Sequence, residues 1–191
     1  MVNPFSGTLF LIIGNSGSGK DSIISGIVKE YPQDLMQIIA PKRYITRSPS
    51  ESEENISVTA KEFIELDKKG KFALKWHIYQ LDYGIPIEIE DWLKKGHPVI
   101  INVSRTIVKQ TREKYLNVKV IFVEVPFEIT LQRIRDRKRE SAELLNERIE
   151  RAKNNQSFQD ADFVIDNSGN LADAITQCLD YLLQVIRLKN N

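Results

Sequence analysis

The chain has 191 residues, 41% of them hydrophobic and 28% charged, with 27 Lys and Arg against 26 Asp and Glu. That length suits one domain over 1–191, which removes about 70% of its unfolded surface from water and needs no staples. A net charge of +1 excludes a global pull toward nucleic acid or anionic membrane, and a single cysteine, Cys178, excludes an internal disulfide framework or a cysteine zinc cage.

No apolar run approaches the ~20 residues that span a bilayer. The residues ahead of the first apolar run carry no basic leader region, so the expected setting is cytoplasmic and reducing. Residues 8–13 form a short apolar run that ends in glycine, the pattern of a strand covered on both faces. After a glycine-rich loop, a helix is expected from Lys20 through Ile23, Ile24 and Ile27 to about Tyr31, where Pro32 stops it. Further buried strands are expected at 37–40, 98–103, 119–125 and 162–165. Helices are expected at 61–69, 86–95, 106–115, 128–137, 142–154 and 171–187. Thr59 with Glu62 forms a capping box for the second helix. Residues 41–84 read as an insertion of short mixed segments with an acidic loop at 51–55. Cys178 falls on the apolar stripe of the last helix with Ile175, Leu179, Leu182 and Ile186, and is expected to be core packing.

Gly14-Asn15-Ser16-Gly17-Ser18-Gly19-Lys20 matches G-x-x-x-x-G-K between a strand and a helix. Glycines let backbone N–H groups turn in around phosphate oxygens, the helix N-terminus adds partial positive charge, and Lys20 reaches the β- and γ-phosphates. The hydroxyl that usually follows the lysine and ligates Mg²⁺ is replaced by Asp21, with Ser22 next. Asp21 either holds the metal, directly or through water, or only complements the helix dipole.

Between Arg133 and Arg139 five residues are basic (Arg133, Arg135, Arg137, Lys138, Arg139), and Arg148 and Arg151 follow on the next helix. Beside a phosphate loop, such a cluster suits a closing lid whose arginines stabilise a transferring phosphoryl group and exclude water. No aromatic side chains interleave for base stacking, so nucleic acid is not the expected partner. Arg43 and Arg47 lie four apart; in extended backbone both point to one face, ~13 Å apart, and could clamp two anionic groups of one small substrate.

On these residues the chain resembles the guanylate kinase superfamily from about Thr8 to Leu183. The shared marks are the loop Gly14 to Lys20, Thr46-Arg47, Tyr83-Gly84, Leu131-x-Arg133, Arg137 and Arg148. Within that superfamily it is most similar to the ribose 1,5-bisphosphate phosphokinases of phosphonate degradation. That closer match rests on Gly17-Ser18-Gly19-Lys20-Asp21-Ser22, Arg43 to Arg47, Glu54-Asn55, Phe72-Ala73-Leu74 with Trp76-His77, Tyr83-Gly84, and Asn102-x-Ser104-Arg105. Guanylate kinases read guanine with a buried glutamate, a serine, a Ser/Thr after Tyr-Gly and a strand aspartate. Leu74, Arg43, Ile85 and Ser104 stand at those positions, and Ser50 replaces a second acceptor arginine. Guanine would lose both carboxylate partners, at ~1–3 kcal/mol for each polar group left unpaired. The lid reads Arg137-Lys138-Arg139-Glu140 where the family has Arg-Gly-Arg-Glu.

The resemblance implies a three-layer α/β/α phosphate-loop kinase with a mostly parallel five-stranded sheet, an acceptor-binding insertion near 41–84 and an arginine lid near 128–152. It implies ATP-dependent phosphorylation of ribose 1,5-bisphosphate to 5-phosphoribosyl 1-diphosphate (PRPP) and ADP. Lys20, Arg137 and Arg148 would act on the transferring group. Gly14 through Ser22, Arg133 and Asn167 would hold ATP, and Asp21 and Ser22 would lie near Mg²⁺. Arg43, Arg47, Glu54, His77, Tyr83, Ser104 and Arg105 would meet the acceptor. His77 either donates to substrate or is hydrogen-bonded beside Trp76, and His97 is structural or exposed. Asp166-Asn167 borders adenine or is an ordinary turn. The rival expectations are a nucleoside monophosphate kinase and a non-catalytic guanylate-kinase-like binding module.

Overall fold

The computed structural model describes residues 5–48, 55–136 and 142–190. The main sheet has strand order β6-β1-β7-β8, from β1 (Leu9–Gly14), β6 (Val99–Asn102), β7 (Val118–Glu124) and β8 (Phe163–Asp166). β7 and β8 run parallel in register Ile121–Phe163 to Glu124–Asp166. Leu9, Phe10, Leu11, Ile12 and Ile13 are fully buried, as expected of strands covered on both faces. Among the described residues four strands form this sheet, where five are expected. The segment expected as the fifth contributes one parallel bridge, Ile39 to Val99, with Ile39 N–H donating to Pro98 O and Ile39 O accepting from Ile100.

The chain divides into two compact units, and both β1 and β7 cross the division. The first covers 5–10 and 33–118 among the described residues. It holds a second sheet of order β3-β2-β5-β4, from β2 (Tyr44–Ile45), β3 (Ile56–Ser57), β4 (Phe72–Ile78) and β5 (Leu81–Pro86). β2 and β3 are parallel, whereas β5 is antiparallel to β2 and β4. The ring of Phe72 stacks on Phe63 at 4.5 Å and meets Tyr44 edge-on at 5.3 Å. A Cβ on Gly84 would come within 2.5 Å of the Phe72 ring, so Tyr83-Gly84 needs its glycine for space. The helices are α2 (Ala60–Lys68), α3 (Ile89–Lys94) and α4 (Val108–Lys114), the last after a 3-10 turn at Arg105–Ile107. The expected helix at 86–95 starts later because residues through Pro86 belong to β5.

The capping box is present: Thr59 N–H donates to Glu62 Oε2 at 2.7 Å, and Glu62 N–H donates to Thr59 Oγ1 at 3.2 Å. These bonds from Thr59, the backbone one first, hold the Glu62 carboxyl below its ordinary value. His97 is structural: its Nδ1 lies 2.8 Å from the Gln37 carbonyl oxygen, to which it donates.

The second unit covers 11–32 and 119–190 among the described residues. It holds α1 (Lys20–Glu30), α5 (Phe127–Asp136), α6 (Ala142–Asn154) and α7 (Leu171–Asn190). The residue after α1, Tyr31, is extended at ψ 133, as the steric demand of Pro32 requires. α7 packs on α1 and buries Ala174, Ile175, Cys178 and Leu182, while Leu179 and Ile186 are half-buried. Burial alone pushes the Cys178 thiol up to about 12. Among the described residues no helix is long and apolar enough to cross a membrane.

Candidate active site

The phosphate loop leaves β1 at Gly14 and enters α1 at Lys20. Gly17 and Gly19 have φ of 83 and 87, conformations that side-chain-bearing residues rarely adopt. A Cβ on Gly19 would also overlap the Asn167 amide. α1 has no side-chain cap, so its N-terminus is left with the character of an anion site. Lys20 Nζ donates to Gly14 O at 3.0 Å, Asn15 O at 2.7 Å and Ser18 Oγ at 3.2 Å. A charged amine satisfied by loop oxygens is already placed where phosphate oxygens could replace them.

Around this loop the second unit collects most of the expected donor-side residues. Arg133, on α5, donates to Asn167 O at 3.1 Å and Gly17 O at 3.5 Å. Arg148, on α6, donates to Ser16 Oγ at 2.9 Å. Asn167 follows β8 and donates through Nδ2 to Ser18 O at 2.7 Å. Asp166 beside it is held below the ordinary carboxylate value by hydrogen bonds from the Ser168 side chain and backbone. A cleft of about 330 Å³ is lined by Gly17, Gly19, Ser22, Arg133, Asp136, Asn167, Gly169 and Leu171. Asn167 Oδ1 is buried and has no hydrogen-bond partner among the described residues. Asp136, Gly169 and Leu171 are lining residues that sequence reasoning missed, since nothing in their local pattern marks a cleft. Arg137 lies outside the described residues, as do Lys138, Arg139 and Glu140.

The residues expected to meet the acceptor belong to the first unit. Arg43 is half-buried, with Nε donating to Asn55 Oδ1 at 3.3 Å and Nη1 donating to Asn102 O at 3.3 Å. Extended backbone ends at Ile45, and Thr46 and Arg47 lie in a bend. Arg43 and Arg47 therefore do not share one face of a continuous extended strand. Tyr83 is 8% exposed and pairs across strands with Trp76. Leu74 and Ile85 are paired on the same face, 3% and 0% exposed. His77 alternates to the other face of β4, where its Nδ1 lies 2.8 Å from Asp82 Oδ1. It is hydrogen-bonded, on the strand face opposite Trp76. Ser104 caps the turn that carries Arg105, its Oγ accepting from Thr106 Oγ1 at 2.9 Å, and that turn packs on β4. Glu54 and Ser50 lie outside the described residues.

The Guanylate kinase family model matches residues 6–185. Ribose 1,5-bisphosphate phosphokinase PhnN of Pectobacterium atrosepticum is 40% identical over 167 residues, covering 85% of this chain and 87% of the relative. The protein of the same name from Bradyrhizobium diazoefficiens is 35% identical over 164 residues, covering 86% and 82%. Among solved structures, guanylate kinase from Anaplasma phagocytophilum superposes with a TM-score of 0.62 at 18% identity, over 98% of this chain and 88% of that one. The likeness at that identity establishes the fold, α/β with a mostly parallel sheet. With a glycine-rich anion loop, a cleft beside it and these relatives, the chain belongs to the guanylate kinase family, in the branch of the ribose 1,5-bisphosphate phosphokinases.

Proposed function

We propose that the protein transfers the γ-phosphoryl group of ATP to the 1-phosphate of ribose 1,5-bisphosphate, forming PRPP and ADP. The relatives' printed names support this acceptor, and one observation carries it over a nucleotide. Leu74 and Ile85, opposite each other and closed to water, offer aliphatic groups where guanylate kinases bind a base edge. Unpaired purine donors there would lose ~1–3 kcal/mol each.

In this reading 1–191 is one kinase domain whose second unit binds the donor and whose first unit binds the acceptor. Lys20 exchanges its three loop partners for phosphate oxygens and follows the charge to the leaving group. Arg148, with Arg137, stabilises the equatorial oxygens. Asn15, Ser16, Gly17, Ser18 and Gly19 contribute the anion loop, and Arg133 and Asn167 hold the nucleotide in the adjoining cleft. Arg43 and Tyr83 orient the sugar bisphosphate, with Arg47, Ser104 and Arg105 at the edge of the set. The acceptor oxygen is already anionic, so positioning and charge suffice without a strong general base.

The residues fit Mg²⁺ held largely by phosphates and water. Asp21 supplies one hard carboxylate on the first turn of α1, and among the described residues no group of three His, Cys, Asp or Glu could hold a metal. Bound there, the ion would neutralise charge on the bridging phosphate oxygens. Ser22 lines the cleft beside the loop, and its hydroxyl is the second hard oxygen on this turn. The proposed setting is cytoplasmic, with small anionic substrates and no nucleic-acid partner.

The test is ADP release measured with ribose 1,5-bisphosphate, GMP and the other monophosphates. The sugar bisphosphate should turn over fastest, and faster turnover of GMP would overturn the acceptor assignment. Lys20→Ala should lower turnover by about 10²–10³-fold while the fold survives.

A further inference from the structure

The last carbonyls of a helix find no donors within it, so a donor must come from elsewhere. For α6, Asn155 Nδ2 donates to Arg151 O and Gln156 Nε2 to Ala152 O, and a further donor comes from the phosphate loop. Asn15 Nδ2 lies 3.2 Å from Ala152 O and 2.9 Å from Asn155 O. Asn15 is 8% exposed and Ala152 2%, so water hardly competes for the bond between them, while the bond to Asn155 O is half-buried. One residue further along the loop, Ser16 Oγ accepts from Arg148 at 2.9 Å. Arg148 precedes Ala152 by four residues, about one turn or ~6 Å along the axis. Two consecutive loop residues thus grip α6 at points one turn apart. The main chain of Asn15 has a separate duty, its carbonyl accepting from Lys20 Nζ at 2.7 Å.

We propose that Asn15 is a positioning residue for phosphoryl transfer. From within the phosphate loop it fixes where α6 lies along its axis, and so delivers the Arg148 guanidinium to the loop. This rests on the reading of the loop and Arg148 given above. The consequence is directional. In the proposed reading, ground-state binding of ATP is carried by loop amides, Lys20, Arg133 and Asn167, none of which is bonded to the Asn15 side-chain amide. Arg148 acts where charge develops in the transition state. Loss of the Asn15 side chain therefore falls on kcat, through Arg148, and leaves nucleotide affinity largely intact.

The experiment is a double-mutant cycle with Asn15→Ala and Arg148→Ala, reading kcat, KM for ATP, ADP affinity by calorimetry and thermal unfolding. Asn15→Ala is expected to lower kcat about 10–100-fold, with KM for ATP and ADP affinity within about threefold of the parent. The double variant should lose about as much kcat as Arg148→Ala alone, because the two act as one unit. Asn15→Leu keeps the volume but has no donor, and should show the same kcat loss if Asn15→Ala unfolds. Either variant retaining kcat within about twofold, or losses that multiply in the double variant, would overturn the proposal. A parent protein that binds no ADP sinks the phosphate-loop reading and takes this inference with it. That result is distinct from a parent that turns over normally and is matched by Asn15→Leu.

Discussion

The rings of Trp76 and Tyr83 stack across the β4–β5 ladder, with centroids 5.1 Å apart and planes 3° from parallel. The pair anchors the β4–β5 hairpin and fixes where the Tyr83 hydroxyl stands. The two contributions are separable. Trp76→Ala should destabilise the protein by about 3–5 kcal/mol through cavity formation. Tyr83→Phe keeps the stack and should leave the melting temperature nearly unchanged while raising KM for the sugar bisphosphate several-fold. Unchanged KM in that variant would remove Tyr83 from the acceptor set.

In the proposed reading Asn167 directs base choice. Its Nδ2 is committed to Ser18 O, so the atom left for a nucleobase is the acceptor Oδ1. An adenine amino group can donate to it, whereas the guanine carbonyl at the same ring position would face it oxygen to oxygen. ATP should exceed GTP in kcat/KM by about 10–100-fold. Asn167→Ala should shrink that ratio toward one, and a ratio near one in the parent would refute the assignment.

The turn joining β4 to β5 stores strain. Tyr79 and Gln80 have φ of 54 and 59, the left-handed pair of a type I′ hairpin, without the usual glycine. Gln80→Gly should therefore stabilise the fold by about 1 kcal/mol, seen as a rise of about 2–4 °C in Tm. A fall in Tm would mean that the Gln80 side chain makes contacts worth more than the strain.

The α2 capping box should give stability a pH signature. Glu62 is depressed in the folded state, so its contribution is fully present above its unfolded pKa and fades as pH falls through the folded value. Thr59→Ala should cost about 1 kcal/mol at neutral pH. In denaturant unfolding the difference should be smaller at pH 3 than at pH 7. A gap that widens on acidification would contradict the sign.

Much of the donor side could be read from the chain alone, because its chemistry is local. Residues 14–20 carry strand end, glycine turn and helix start in one stretch, and the backbone geometry follows from their order. Continuous apolar runs marked β1, β6 and β7 because burial on both faces excludes polar residues, and Thr59 with Glu62 marked α2 through bonds three residues apart. The β4–β5 hairpin was missed because Tyr79-Gln80 carries no turn signal, although Leu74, Trp76 and Ile78 alternate with Lys75 and His77. Which face His77 takes, Arg43 donating to Asn55 and Asn102, and Asn15 reaching α6 from 137 residues away were decided only in three dimensions. The Arg43 and Asn15 bonds each depend on a buried or half-buried polar group finding a partner far along the chain, and such pairing leaves no periodicity or spacing in the sequence; the His77 face depends on the hairpin that brings Asp82 opposite it.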